Sequence, residues 1–156
     1  DALAQSGGAL QVQPYRHDRL ALVVPAGHAL AAHTAIGFAD TLDEDQVGLH
    51  ANSSIALAMH HAATEAGRAI RLRIRVTGLD AMCRMIANGL GVGVMPLRAF
   101  ELMHGTAALR ALPLSDSWAH REISLIARDF ATLPVTARAL VEHLRQAPTP
   151  AIATPA

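Results

Sequence analysis

Small polar residues stand at two places where a short apolar segment gives way to an amphipathic helix pattern. The first group is Asn52, Ser53 and Ser54, and the second is Thr77 with Gly78. Hydroxyl and amide groups at these positions, together with the free N–H groups of a helix N-terminus, can bind a small anion or carboxylate. The same residue types also cap helices that bind nothing, so ligand binding and ordinary capping both stay open on spacing alone.

The elements that position these residues follow from the periodicity of apolar side chains. The pattern predicts strands at 10–12, 20–24, 46–49, 72–76, 92–95, 109–114 and 123–127, and helices at 55–66, 79–87, 97–103 and 134–144. In the strand 72–76 apolar residues alternate with arginines, which predicts one buried and one solvated face. The strand–helix–strand order favours parallel pairing through right-handed crossovers. Ligands bind at the carboxyl ends of strands in such sheets, so the two polar groups are expected to face one crevice.

Composition excludes several classes of function. All positive side-chain charge at neutral pH comes from Arg and the formal net charge is zero, so the chain has no electrostatic footprint for nucleic acid. The single cysteine, Cys83, excludes an internal disulfide, and its place in a helix pattern predicts a buried, inert side chain. No apolar run reaches the roughly 18 residues that cross a bilayer, and no signal-peptide pattern opens the chain. Because the chain begins at Asp1 rather than Met, we expect a fragment or an excised domain.

Nucleotide and metal sites are weaker interpretations. The glycines at 89, 91 and 93 close a helix and precede a strand, which is the reverse of the order in a dinucleotide-binding loop, so a helix C-cap is the better interpretation. His61 and Glu65 have i,i+4 spacing, but two ligands do not make a metal site and no His-x₃-His pair occurs. We therefore expect neither a metal nor a cofactor.

An enzyme is the competing functional class. His50, Asp80 and Cys83 could in principle converge on the same crevice. Nucleophilic catalysis needs an activated thiol within reach of a base, whereas Cys83 falls inside a helix pattern where it packs. No paired carboxylates stand out as an acid and base couple, so we expect no catalytic residues.

Several motifs, taken in order, resemble the effector-binding domain of LysR-type transcriptional regulators over about residues 10–145. These motifs are Arg19-Leu-Ala-Leu-Val-Val-Pro25, Gly27-His28-Ala29-Leu30, Val47-Gly-Leu-His50, Val76-Thr-Gly-Leu-Asp80, Ile86-Ala-Asn-Gly-Leu-Gly-Val-Gly-Val-Met-Pro96 and Arg121-Glu-Ile-Ser-Leu-Ile-Ala-Arg128. The segment 86–96 is similar to the family signature V-x-x-G-L-G-I-x-x-L-P. Ala29 departs from the proline that is usual in the family's "HPL" turn.

The resemblance implies an α/β fold: a periplasmic-binding-protein-like (type 2) lobe with a mixed, mostly parallel sheet flanked by helices, and a first lobe that is largely missing. It divides the chain into a remnant of the first lobe and hinge at 1–16, the second effector-binding lobe at 17–125, and a C-terminal return helix at 126–146. The tail 147–156 is rich in Pro, Ala and Thr, a composition that predicts disorder.

The function implied is that of a ligand-sensing regulatory domain, which binds a small anionic organic effector and controls the conformation of a DNA-bound homo-oligomer, a dimer or tetramer. Carried over by position, the effector-binding residues are Asn52, Ser53, Ser54, Thr77, Gly78 and Leu79, with a residue near 93–96 as a further wall. Such a protein is cytoplasmic, contacts no membrane, and reaches DNA only through an absent N-terminal winged helix-turn-helix. The alternative is an extracytoplasmic solute-binding protein of the same fold.

Overall fold

A computed structural model of the chain describes residues 9–103 and 106–146. Its strands and helices, in chain order, are β1 (Gln11–Pro25), β2 (Gln46–Gly48), α1 (Ser54–Glu65), β3 (Leu72–Arg75), α2 (Leu79–Ala87), β4 (Gly93–Pro96), α3 (Leu97–Leu102), β5 (Leu109–Pro113), β6 (His120–Ala127) and α4 (Val135–Gln146). Short 3-10 turns occupy Ala29–Ala32, Phe38–Thr41 and Ser117–Ala119. The predicted tail 147–156 and the first eight residues of the predicted remnant 1–16 lie outside the described residues.

The described residues form two compact units. One is Asp18–Arg121, and the other comprises the described chain before Asp18 and after Arg121. The first unit contains both polar groups singled out from the sequence. In the second unit, the backbone N–H of Phe130 donates a 3.0 Å hydrogen bond to Oε1 of Gln11, and Arg145 hydrogen bonds to Gln13.

Strand direction follows from how the strands are connected. β2 and β3 are parallel, a parallel bridge joins Gln46 to Val92 just before β4, and β1 is antiparallel to both β4 and β5. Strands β2, β3, β4 and β5 therefore run in one direction, and a helix separates each from the next. β1 runs in the opposite direction, because only short 3-10 turns connect it to β2. The mixed, mostly parallel α/β arrangement predicted from the sequence is confirmed.

The apolar core lies on both sides of β1. The segment from Leu20 to Val24 is at most 1% exposed, as expected for a strand that is covered on both faces. Its side chains alternate between two clusters. Those at positions 20, 22 and 24 pack in the cluster that contains Ile55 and Met59 of α1, whereas Val23 packs in the cluster that contains Met82 of α2. The two helices are thereby fixed on opposite faces.

Strand β1 joins the predicted strand 20–24 to most of the short strand predicted at 10–12, so that the two predicted strands are one. All of the side chains from Gln11 to His17 are exposed or half-buried, so no hydrophobic pattern signals that the strand is continuous here. The tight stop after α2 is as expected. Asn88 is its C-cap, Gly89 adopts a left-handed φ of 76°, and the N–H of Leu90 donates to the carbonyl of Met85 at 3.1 Å.

Candidate functional site

The two sets of small polar residues, 52–54 and 77–78, lie at the same edge of the sheet. β2 and β3 are parallel neighbours, with Gly48 opposite Arg75, and the N–H of Val76 donates a 2.9 Å hydrogen bond to the carbonyl of Gly48. The loop 49–53 and the loop 76–78 therefore begin side by side at the carboxyl ends of their strands. Each loop leads directly into a helix, so the N-termini of α1 and α2 belong to one edge of the sheet, as the sequence predicts.

At α1, Ser53 is the N-cap. Its backbone is extended, and its Oγ accepts a 3.1 Å hydrogen bond from the backbone N–H of Ala56. This is the ordinary capping geometry, in which the hydroxyl satisfies one of the free donors of the first turn. Asn52, just before the cap, and Ser54, the first residue of the helix, have exposed side chains. A ligand at this end of α1 would meet the amide of Asn52 and the hydroxyl of Ser54 first.

At α2, the N-cap is Gly78, which has no side chain to offer to the first turn. Among the described residues, no side chain accepts a hydrogen bond from the α2 N-terminus. Thr77 precedes the cap and is exposed, whereas Leu79 is half-buried and packs against the cluster that contains Met82. Free N–H groups at a helix N-terminus favour an anionic partner. Leu79 anchors the helix, and Thr77 supplies the accessible hydroxyl.

A cavity of about 580 Å³ opens beside this edge, between α1 and the strands β2 and β3. Its walls are mostly aliphatic and come from Val47, Leu49, Ile55, Met59, Ala63, Ile70, Leu72 and Val94. Of the six residues predicted to bind an effector, only Asn52 lines it. Val94 of β4 also contributes, which is consistent with a wall near 93–96. The other five predicted residues lie at the loop edge outside this cavity.

The exposure predicted for the arginines of the strand 72–76 agrees with the structure, since Arg71, Arg73 and Arg75 are all exposed, but the directions of the side chains do not follow simple alternation because the register of β3 against β2 shifts by one residue. The Cα partners are Gln46–Leu72, Val47–Ile74 and Gly48–Arg75. Leu72 consequently lies on the face of α1, while Ile74 packs in the α2 cluster. After the shift Arg75, which stays exposed, shares the face of Leu72 and lines the cavity, whereas sequence alternation places it on the same face as Arg71 and Arg73. Such an irregularity re-aims a side chain, and no signal within the strand itself reveals it.

Cys83 is not an activated nucleophile. It is buried, and its Sγ lies 4.0 Å from Sδ of Met95. Burial raises the pKa of the thiol above its ordinary value, and the negative charge of Asp80 raises it further. A reactive cysteine needs a lowered pKa, so Cys83 behaves as a small apolar side chain.

The described ranges contain no group of three or more His, Cys, Asp and Glu side chains arranged to hold a metal ion. His61 and Glu65 make the contact expected of their spacing, with 3.4 Å between Nδ1 and Oε2, and both side chains are exposed. They form a pair on the surface of α1. The structure also shows, over the same ranges, no helix that is long and apolar enough to cross a membrane.

Comparison with known proteins gives this architecture a family. The LysR substrate binding domain model matches residues 2–149. The chain belongs to this family. A curated relative, the RuBisCO operon transcriptional regulator of Allochromatium vinosum, is 27% identical over 135 residues, which are 86% of this chain and 45% of the relative. The LysR domain described here thus spans less than half the length of that regulator.

Solved structures share the fold of this LysR domain. The regulatory domain of Synechocystis PCC6803 CcmR, in complex with 2-PG, has a TM-score of 0.77 at 19% identity, covering 90% of this chain and 67% of that one. The effector-binding domain of QuiR, in complex with shikimate, has a TM-score of 0.71 at 17% identity, covering 90% and 66%. The BenM effector-binding domain with its effector benzoate has a TM-score of 0.70 at 21% identity, covering 90% and 64%. The curated relative is described as a transcriptional regulator and the solved domains as regulatory or effector-binding domains, in agreement with the non-enzymatic class predicted from the sequence, and the predicted fold and family are confirmed.

Proposed function

We propose that the chain senses a small anionic organic effector for a bacterial LysR-type transcriptional regulator. The observation that carries the proposal is the parallel pairing of β2 with β3, which delivers two helix N-termini to one edge of the sheet. At that edge Asn52, Ser53 and Ser54 lie at the start of α1, and Thr77, Gly78 and Leu79 lie at the start of α2. We propose these six residues as the effector contacts.

The partial positive charge at the two helix N-termini favours an anionic ligand. The peptide dipoles of a helix add to a partial positive charge at its N-terminus, worth about 0.3–1 kcal/mol to a nearby anion and more when the site is partly buried. At α2 no side chain among the described residues accepts a hydrogen bond from the helix N-terminus, and Asp80, the acidic residue of the first turn, is paired with Arg84 at 3.0 Å. Shikimate and benzoate, the ligands named for QuiR and BenM, are carboxylates. A carboxylate on this edge is the simplest ligand that the donors can hold.

The regulatory step follows from differential binding. An effector that contacts loops from two strands stabilises the arrangement of the domain in which those loops are correctly spaced, and so shifts the population towards it. In our proposal this shift repositions the subunits of a dimer or tetramer on DNA, which is read by a winged helix-turn-helix outside this chain. Because its target is DNA, the regulator acts in the cytoplasm.

A thermal-shift screen of the complete gene product tests the proposal. The panel contains small carboxylates, aromatic acids and amino acids, each paired with its amide or ester as an uncharged control. A ligand at 100-fold its dissociation constant adds about 2.7 kcal/mol of stability, which gives a clear rise in melting temperature. We expect at least one acid to stabilise the protein while its amide does not. If amides stabilise as well as acids, the anionic character of the effector is wrong.

A further inference from the structure

The chain contains two asparagines, and they differ in the residue that follows each of them. Asn88 is followed by Gly89, and Asn52 by Ser53. The backbone nitrogen of the next residue can attack the amide carbon of an asparagine side chain. Glycine hinders this attack least, because it has no side chain and the most flexible backbone. Of the two asparagines, Asn88 is therefore the one whose sequence favours spontaneous deamidation.

Deamidation at this position needs only water as a co-reactant. The deprotonated backbone nitrogen of Gly89 forms a bond to Cγ of Asn88, the bond from Cγ to Nδ2 breaks, and Nδ2 leaves as ammonia. Water then opens the five-membered succinimide ring at one of its two carbonyl carbons. One opening gives aspartate, and the other gives isoaspartate, in which the main chain runs through the former side-chain carbon.

The C-cap of α2 opposes this reaction in the folded protein. The N–H of Gly89 donates a 2.9 Å hydrogen bond to the carbonyl of Ile86, so the attacking nitrogen is held in the helix stop. The side-chain amide of Asn88 donates at 2.7 Å to the carbonyl of Arg84. The ψ of Asn88 is 12°, which turns the nitrogen of Gly89 away from Cγ. Both hydrogen bonds must break and the backbone must rotate before the ring can close.

The position of this cap at the surface allows it to open. Asn88 and Gly89 are both exposed. Helix ends open at a lower free energy than the core does, because fewer buried contacts hold them. Leu90 is half-buried and packs against the cluster that contains Met82, which favours the closed turn. Opening of the turn alone therefore exposes the Asn–Gly pair to reaction, while the rest of the unit stays folded.

The products cannot replace asparagine in the cap. An aspartate carboxylate has no hydrogen to donate to the carbonyl of Arg84, and it places a negative charge at a helix C-terminus, where the helix dipole disfavours it. Isoaspartate adds an atom to the main chain between the helix and Leu90. The 3.1 Å hydrogen bond from the N–H of Leu90 to the carbonyl of Met85 depends on the original spacing.

We propose that Asn88 is a site of spontaneous deamidation that is gated by the C-cap of α2, and that the modification loosens the connection from α2 to β4. The rate is set by the fraction of molecules in which the cap is open. The site does not depend on effector binding, and it makes the age of the protein a determinant of its stability.

Peptide mapping by mass spectrometry tests the site in the complete gene product, incubated at mildly alkaline pH with and without denaturing urea. Fragmentation by electron transfer distinguishes isoaspartate from aspartate. In the folded protein we expect conversion at Asn88 to exceed that at Asn52. In urea we expect Asn88 to react about tenfold faster or more, because the cap no longer restrains it.

A pair of leucine variants tests the gate without changing the Asn–Gly pair. Leu90→Ala removes the apolar contact of the turn and is expected to accelerate deamidation of Asn88 in the folded protein about threefold or more. Leu102→Ala is the matched control, because Leu102 is exposed on α3. We expect it to react at the wild-type rate. The comparison of folded with denatured wild type decides the question even if Leu90→Ala does not fold.

The consequence of the modification is read from Asn88→Asp, which carries the charge of one product from the outset. We expect its melting temperature to lie about 2–4 °C below that of the wild type. Asn52→Asp is the control, because the same charge near a helix N-terminus is not disfavoured.

Four results would each overturn the proposal. Asn88 stays intact in the folded protein, or it reacts equally fast when folded and in urea. Leu90→Ala folds but reacts at the wild-type rate, or Asn88→Asp melts at the same temperature as the wild type.

Discussion

Ser53 caps α1 in the structure. Helix capping and ligand binding, the two roles that the sequence leaves open, can therefore be distinguished at this residue. Its Oγ caps α1 through the N–H of Ala56 at 3.1 Å. Any effector that takes a hydrogen bond from this hydroxyl does so while the hydroxyl oxygen continues to accept from the helix. Thr77 has no such structural duty at α2, where Gly78 is the N-cap. Thr77 therefore reports on ligand binding more cleanly than Ser53 does.

Replacement of Ser53 by Ala is expected to lower the free energy of unfolding by about 1 kcal/mol, because the first turn of α1 loses its side-chain acceptor. Ser54→Ala is the control, since Ser54 is exposed inside the first turn and caps nothing in the structure. Urea denaturation of the two variants measures the difference. Equal loss in both would mean that Ser53 does not act as the cap.

The buried thiol of Cys83 makes the free energy of unfolding decrease as the pH becomes alkaline. Burial, with a smaller contribution from Asp80, raises the pKa of its thiol in the folded state. Below about pH 8 the thiol is protonated in both folded and unfolded chains, so the full stability is present. As pH rises further the unfolded chain loses its proton first, which lowers the free energy of unfolding.

We therefore expect the wild-type chain to lose stability between about pH 8 and pH 10 more steeply than Cys83→Ala. Urea denaturation across this range compares the two slopes. Because other groups titrate in both proteins, only the difference between the slopes counts. Parallel slopes would show that the thiol is not shielded in the folded state.

At the scale of elements, the connection from α2 to β4 requires glycine at position 91, because there is no room for a side chain. The N–H of Val92 donates to the carbonyl of Asp45 at 2.9 Å, which ties β4 to the start of β2. Gly91 passes directly over that carbonyl with φ of 141°, and a Cβ would stand 2.1 Å from its oxygen. Neither the conformation nor the space suits any other residue.

Gly91→Ala is accordingly expected to cost about 3 kcal/mol or more of unfolding free energy, because both backbone strain and a clash with the main chain must be relieved. Gly27→Ala is the matched control: a Cβ there meets nothing within 4 Å. Thermal or urea denaturation of both variants gives the comparison. A Gly91→Ala protein as stable as Gly27→Ala would contradict this account of the connection.

Some of these elements are predictable from the sequence, and others are not. The helices α1 and α2 were predictable because a polar residue precedes each apolar period and a glycine follows it. The full length of β1 was not, since its exposed half has no period. The position of Arg75 was not predictable either, because the register of β3 is set by contacts with β2 and not by β3 alone. The shared edge of the two loops thus follows from the sequence, whereas the cavity and the position of Arg75 in its lining require the packed structure.

At the scale of the whole molecule, this chain is a LysR substrate-binding domain that spans 45% of the length of a curated regulator. The compact unit Asp18–Arg121 contains both of the loops that we propose to bind the effector, and the cavity. We propose that it serves as the second effector-binding lobe, predicted from the sequence at 17–125, with 126–146 as the return helix and the residues before 17 as remnant and hinge. Effector binding then acts on an assembly of which this unit is one part.

The central claim is that an anionic effector binds where the loops after β2 and β3 meet. The most direct test is calorimetric titration of the complete gene product with the acid that raises the melting temperature most, in Thr77→Val and in Thr64→Val. Thr64 lies on α1, where its hydroxyl donates to the carbonyl of His60, so it matches the chemistry of the change away from the edge. The account predicts that Thr77→Val weakens binding by about 1–3 kcal/mol while Thr64→Val leaves it unchanged. Wild-type affinity in Thr77→Val, with the protein folded, would contradict it.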